Sequence, residues 1–185
     1  AKTASQAGIP DGVLNVLPGY GDVGEALGRH NDIDAISFTG STEVGGYFMK
    51  YSGESNLKTV GLEMGGKSPF IVLDDANLSE DLIDNAINSA FWNGGQNCSA
   101  NMRQLVHSKI KDEFLDKVIK RVKSLKVGDP LDINSNMGSM ISKKHLEKVD
   151  SYIQKGIDEG AKILHGGVST QDQKGFFAKP TLFDD

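Results

Sequence analysis

The sequence predicts an α/β chain built in two parts. Short apolar runs closed by glycine or proline alternate with longer segments whose apolar residues recur three and four positions apart, the signature of strands alternating with helices. The pattern restarts after the pair Gly65-Gly66, which sets the expected division at residues 1–64 and 65–185. At 185 residues and 38% hydrophobic, the chain can supply a core for one ordinary domain or parts of two.

Residue 1 falls in what reads as the tail of a helix, followed by a turn at Gly8-Ile-Pro10-Asp-Gly12, so a central piece of a longer polypeptide is expected. Residues 13–17 read as a short buried strand closed by Pro18-Gly19. Next, Gly19-Tyr-Gly21-Asp-Val-Gly24 spells G-x-G-x-x-G ahead of a helical stretch. The dinucleotide fingerprint also needs an acidic residue about 20 positions on, where Phe38, Thr39 and Gly40 stand instead. Two readings of Gly21 and Gly24 stay open, a tight strand-to-helix turn or contact with the adenosine side of a dinucleotide.

Residues 34–38 read as a second strand, and Gly40-Ser41-Thr42 opens a helix expected to reach about Tyr51. A capped helix start offers free amides and the positive end of the macrodipole, which suits a phosphate. An N-cap with no ligand is the plainer reading, and Glu43 counts against an anion unless it points away. Residues 57–62 form the third expected strand, ending at Glu63, a carboxylate expected to be partly buried beside Gly65 and Gly66. Ligands of parallel sheets gather beyond such strand ends.

Residues 70–73 read as a fourth strand, and 78–92 as an amphipathic helix with Leu82, Ile83, Ala86, Ile87, Ala90 and Phe91 inward. Gly94 and Gly95 break it, placing Cys98 on a turn in Asn93-Gly-Gly-Gln-Asn-Cys98-Ser-Ala. A free cysteine more often packs as a small apolar residue, but these neighbours are poor core material. Further on we expect a strand at 103–107, and a helix at 109–125 with Ile110, Phe114, Val118 and Val122 inward. A Ser142-capped helix with Leu146, Val149, Ile153 and Ile157 inward, a strand at 162–165 and a polar loop at 166–175 complete the series.

The formal charge of −5 with mixed signs argues against a nucleic-acid surface. One cysteine makes no internal disulfide or thiolate metal site, and the four histidines lack zinc-type spacing, so no metal is expected. A reducing, cytoplasmic setting is the simplest. No apolar run approaches the roughly 18 residues that span a bilayer, and the first residues show no basic flank followed by an apolar signal-like run.

Three stretches taken together, Phe38-Thr-Gly-Ser-Thr-Glu-Val-Gly45, Glu63-Met-Gly-Gly-Lys67-Ser-Pro and Gly95-Gln-Asn-Cys98, resemble the aldehyde dehydrogenase superfamily in motif and order. Met64 stands where that family has leucine. The resemblance covers the whole chain but well under half of a typical member, and residues 176–183 resemble the segment just before a further cofactor motif. It implies part of a Rossmann-like cofactor domain followed by part of an α/β catalytic domain.

By the same resemblance Cys98 is the nucleophile that takes an aldehyde through a thiohemiacetal to a thioester, and Glu63 the general base for its hydrolysis. Ser41 would meet the pyrophosphate of NAD, or of NADP as the alternative, with Gly40, Val44, Gly45 and Leu62 shaping the groove. Other family residues for the oxyanion, the ribose and the substrate tunnel lie outside these positions, so poor turnover is expected of the 185 residues alone. The full-length parent is expected to be a homodimer or homotetramer. For Glu63 a structural ion pair, perhaps with Lys67, is the competing reading; for the whole chain, a non-catalytic scaffold or binding relative.

Overall fold

The computed structural model describes residues 1–169 and 175–184. They form two compact units, Ala1–Gly65 and Gly66–Asp185.

The first unit opens with the short helix α1 (Lys2–Gln6). Residues 13–17 are not the buried strand expected of them: Val13, Val16 and Leu17 are 70%, 64% and 64% exposed. The Val13 N–H is drawn to Pro10 O at 3.2 Å. The stretch begins in a bend at Val13 and Leu14, no described strand lies alongside it, and without a neighbour's ladder an apolar run makes no strand.

Helix α2 (Gly21–Arg29) follows, then β1 (Ala35–Gly40), α3 (Thr42–Gly53) and β2 (Thr59–Met64). The strands pair in parallel, from Ala35 opposite Thr59 to Gly40 opposite Met64, with α3 as the crossover. Ile36, Phe38, Val60 and Leu62 alternate onto one half-buried face. Phe38 meets Phe48 of α3 there, with ring centroids 4.9 Å apart. The helix settles on the strands at Gly45, where a Cβ would stand 2.8 Å from Met64 Sδ and 3.5 Å from Leu62 Cδ1. Leu57 adopts a left-handed φ of 58°. The third strand therefore starts later than residue 57, and pairing with β1 carries it through Glu63 to Met64.

Helices α2 and α3 approach at Gly28, whose added Cβ would lie 2.7 Å from Tyr51 Cδ2. Arg29 sits 4.4 Å over the Tyr51 ring and donates to Glu25 at 2.8 Å and Glu54 at 2.7 Å. Lys58 is 5% exposed, and its ammonium donates to Gly28 O at 2.7 Å and Ser55 Oγ at 2.8 Å. A buried cation needs such acceptors, and the C-terminal end of α2 supplies one at the negative end of its dipole.

In the second unit β3 (Pro69–Val72) and β4 (Arg103–Val106) pair in parallel around α4 (Glu80–Phe91). Ser79 caps α4, its Oγ accepting from the Leu82 N–H at 3.3 Å. Helix α5 (Lys111–Lys123) starts later than expected, because His107 Nδ1 accepts from the Lys109 N–H and a 3-10 turn, Ser108–Ile110, intervenes. Ile83, Ala86 and Ile87 of α4 interlock with Phe114, Val118 and Val122 of α5 over Val72 and Leu78 to make the core. The opposite face of the strand pair is bare: Ile71, Leu73 and Leu105 are 64%, 60% and 53% exposed.

Ser142 caps α6 (Lys143–Asp158), accepting from the His145 N–H at 3.2 Å. Leu146 joins Met140 and Ala178 in a second cluster, and Ile153 is also buried. Ile157, expected inward, is 39% exposed. The last turn of α6 packs instead through Gly156, where a Cβ would meet Phe183 Cζ at 3.1 Å. Strands β5 (Lys162–His165) and β6 (Leu182–Asp184) pair antiparallel. Of the loop expected at 166–175, residues 170–174 lie outside the described residues. Among the described residues, no helix is long and apolar enough to cross a membrane and no cluster could hold a metal.

Candidate active site

In the first unit the parallel register brings the carboxyl ends of β1 and β2 together, with Phe38 opposite Leu62, Thr39 opposite Glu63 and Gly40 opposite Met64. The chain leaves β1 at Gly40 and enters α3 through Ser41, whose Oγ accepts from the Val44 N–H at 3.3 Å. Gly40, Ser41 and Val44 are exposed there and Gly45 is buried beneath them. Such a strand end, opening into a helix N-terminus, has the donor chemistry for a phosphate: backbone amides, a hydroxyl that can donate while it accepts, and the dipole.

Glu43 is turned along the helix, accepting from Tyr47 Oη at 3.2 Å. That hydrogen bond holds the Tyr47 phenol above its usual range. Glu63 is exposed rather than partly buried, because alternation on β2 sends Leu62 to the covered face and the next residue away from it. Gly21 and Gly24 lie in the first turn of α2. A Cβ at Gly21 would meet nothing within 4 Å, and one at Gly24 would be in ordinary contact with Phe48 Cζ at 3.7 Å. Neither glycine is demanded by packing.

In the second unit α4 ends at Phe91 and the chain turns through a 3-10 segment, Trp92–Gly95. Asn93, Gly94 and Gly95 are all left-handed, at φ 53°, 65° and 74°. Glycine takes that region without penalty and asparagine at little. Cys98 follows on an exposed turn closed by Ala100 N–H to Asn97 O at 3.3 Å. Its Sγ lies 3.8 Å from Asn97 Oδ1, whose own amide donates to Ser99 Oγ at 2.9 Å. Ala100, 2% exposed, anchors the far side of the turn, and Asn101 donates to Pro69 O at 3.0 Å.

Lys67 lies near this turn: its backbone oxygen accepts the Arg103 guanidinium, and its ammonium is 3.8 Å from Met102 Sδ. Gln96, part of the Gly95-Gln-Asn-Cys98 motif, has a further role that the sequence does not signal: its Oε1 accepts from the Ile141 N–H at 2.9 Å across 45 residues of chain. In the first unit the buried Lys58 gives no sequence signal either, since a lysine at a strand start reads as a surface residue.

The aldehyde dehydrogenase family model matches residues 1–185. The chain is 43% identical over 185 residues to the aminoacetaldehyde dehydrogenase of Pseudomonas aeruginosa, covering all of this chain and 37% of that protein. It is 46% identical over 181 residues to the mitochondrial aldehyde dehydrogenase of Leishmania tarentolae, covering 97% of this chain and 36% of that one. Among solved structures, the aldehyde dehydrogenase KauB from Pseudomonas aeruginosa is similar with a TM-score of 0.93 at 45% identity, over 97% of this chain and 37% of that chain. The indole-3-acetaldehyde dehydrogenase of P. syringae, in complex with NAD+ and IAA, gives a TM-score of 0.95 at 44% identity, over 98% and 37%. The chain thus spans about 37% of the length of the first of these relatives. The match along its entire length, together with the motifs that open α3, close β2 and carry Cys98, places this chain in the aldehyde dehydrogenase family.

Proposed function

We propose that this chain carries the nucleophile, the hydrolytic base and part of the cofactor site of an enzyme that oxidises an aldehyde to a carboxylate. The observation that carries the reading is the lone cysteine, presented to solvent on a left-handed turn that follows α4, in a chain matched by the family throughout. Oligomerisation as a homodimer or homotetramer is part of the same proposal for the longer protein.

The Cys98 thiolate adds to the aldehyde carbon: a C–S bond forms and the carbonyl π pair moves onto oxygen. The Cys98 N–H, which meets no acceptor among the described residues, can donate to that oxyanion. The oxyanion pair then re-forms the carbonyl as the C–H bond breaks and hydride leaves, so that a thioester remains on Cys98; NAD, as bound in relatives such as the P. syringae enzyme, would supply the hydride acceptor. Ser41 and the amides opening α3 would hold its pyrophosphate, with Gly40, Val44, Gly45 and Leu62 around them, and Gly21 and Gly24 towards the adenosine side. Glu63 removes a proton from water as the water attacks the thioester, and the C–S bond breaks to return the thiolate and release the carboxylate.

Because Cys98 is the single cysteine, alkylation with iodoacetamide reports this one group. At neutral pH we expect labelling that is slowed by NAD or by an aldehyde. A thiol inert to the reagent, or one indifferent to both ligands, would point to a scaffold without turnover.

A further inference from the structure

Three successive left-handed residues ahead of Cys98, one of them not glycine, make a turn that persists only where neighbouring groups over-determine it. Gln96 is such a group. Its Nε2 donates to Asn93 O at 3.1 Å, and its backbone oxygen accepts from Asn93 Nδ2 at 3.3 Å. Its backbone N–H also donates to Asn93 O, at 3.2 Å, and its side-chain Oε1 takes the Ile141 N–H at 2.9 Å.

The segment it grasps is itself fixed. Met140 is 4% exposed and donates its N–H to Phe176 O at 2.7 Å. Ser139 Oγ accepts from the Phe176 N–H at 3.1 Å, and Ser142 caps α6. Met140 also presses on the turn directly, since a Cβ on Gly94 would come within 2.9 Å of its Cε.

We propose that Gln96 is a positioning residue for Cys98, its side-chain amide fastening the thiol-bearing turn to the anchored segment ahead of α6 through the Ile141 N–H. The catalytic meaning of this fastening rests on Cys98 being the nucleophile. Gln96 itself touches no reacting atom. A methionine at this position has similar length but offers only a weakly accepting thioether. A glutamate keeps an acceptor for Ile141 while losing the donor to Asn93.

The test uses the whole 185-residue chain, with Gln96→Met and Gln96→Glu beside the unaltered sequence. Two quantities are read. One is hydrogen exchange at the Ile141 amide. The other is the plateau rate of Cys98 alkylation by iodoacetamide at high pH, where the thiol is fully ionised and added charge no longer acts through its protonation. Gln96→Met is expected to speed Ile141 exchange at least about tenfold and to change the plateau rate at least about threefold. Gln96→Glu, which keeps the acceptor, should hold Ile141 exchange within about threefold of the original.

An unprotected Ile141 amide in the unaltered chain overturns the proposal, and this measurement decides even if Gln96→Met does not fold. A Gln96→Met chain that is folded by circular dichroism and keeps its plateau rate overturns it too. Insensitivity of labelling to NAD and aldehyde in the unaltered chain sinks the catalytic reading alone.

Discussion

Ser41 carries two assignments, helix cap and phosphate ligand, and two substitutions separate them. Ser41→Ala removes the acceptor for the Val44 N–H. At 3.3 Å that hydrogen bond is long, so the loss belongs at the lower part of the N-cap range, about 0.5–1 kcal/mol. Ser41→Asp keeps an acceptor at the same place and sets a negative charge at the start of α3, worth about 0.3–1 kcal/mol against the macrodipole. Stability should therefore run Asp at or above Ser, with Ala lowest.

Affinity for NAD should run in another order. Ala loses one hydroxyl donor to a charged oxygen, about 1.5–3 kcal/mol or roughly tenfold to a hundredfold in Kd. Asp sets a carboxylate against the pyrophosphate, and two like charges about 4 Å apart near a surface repel by roughly 4 kcal/mol, enough to abolish measurable binding. Urea unfolding followed by circular dichroism gives the first order, and titration calorimetry with NAD the second. A Ser41→Asp chain that binds NAD as the original does, or that is less stable than Ser41→Ala, refutes the assignment.

Phe114, 1% exposed and central to the second unit's core, should cost about 3–5 kcal/mol when cut to alanine; a loss below about 1 kcal/mol in denaturant unfolding would mean that α4 and α5 do not pack as described. Glu54 accepts a hydrogen bond from Arg29, with Lys50 adding a favourable charge, and these hold its carboxyl below the usual glutamate range. Its folded value lies below its unfolded one, so its contribution to stability is complete above the ordinary glutamate range and is lost as pH falls through the folded value. Carbon-detected titration of Glu54 should show the low midpoint, and Arg29→Met should raise it; an unchanged midpoint in the variant contradicts the pairing.

The longer helices were legible from their apolar period, and α3, α4 and α6 carry a serine cap as well. The hydroxyls of Ser41 and Ser142 precede helical stretches, and both cap as expected; the Ser79 cap on α4 is a finding of the structure. Strands were less legible, since an apolar run does not reveal whether it has a neighbour. Residues 13–17, with four aliphatic side chains, are more apolar than 34–38, yet only the second finds a partner, in β2. The start of β2 was misread because nothing in Leu57 announces a left-handed backbone. At the candidate site, the turn at Cys98 followed from two glycines. The hold of Gln96 on Ile141 depends on a contact across 45 residues, which no local pattern encodes.

The bare side of the β3–β4 pair has a practical consequence for anyone handling this polypeptide. Ile71, Leu73 and Leu105 offer water a strip of hydrocarbon on a short ribbon of two strands, which pair with no third strand among the described residues. Such a surface favours sticking between copies, so association is expected to rise with concentration. Cold, dilute buffers free of sulfate keep it dispersed, because cooling weakens apolar association and sulfate strengthens it.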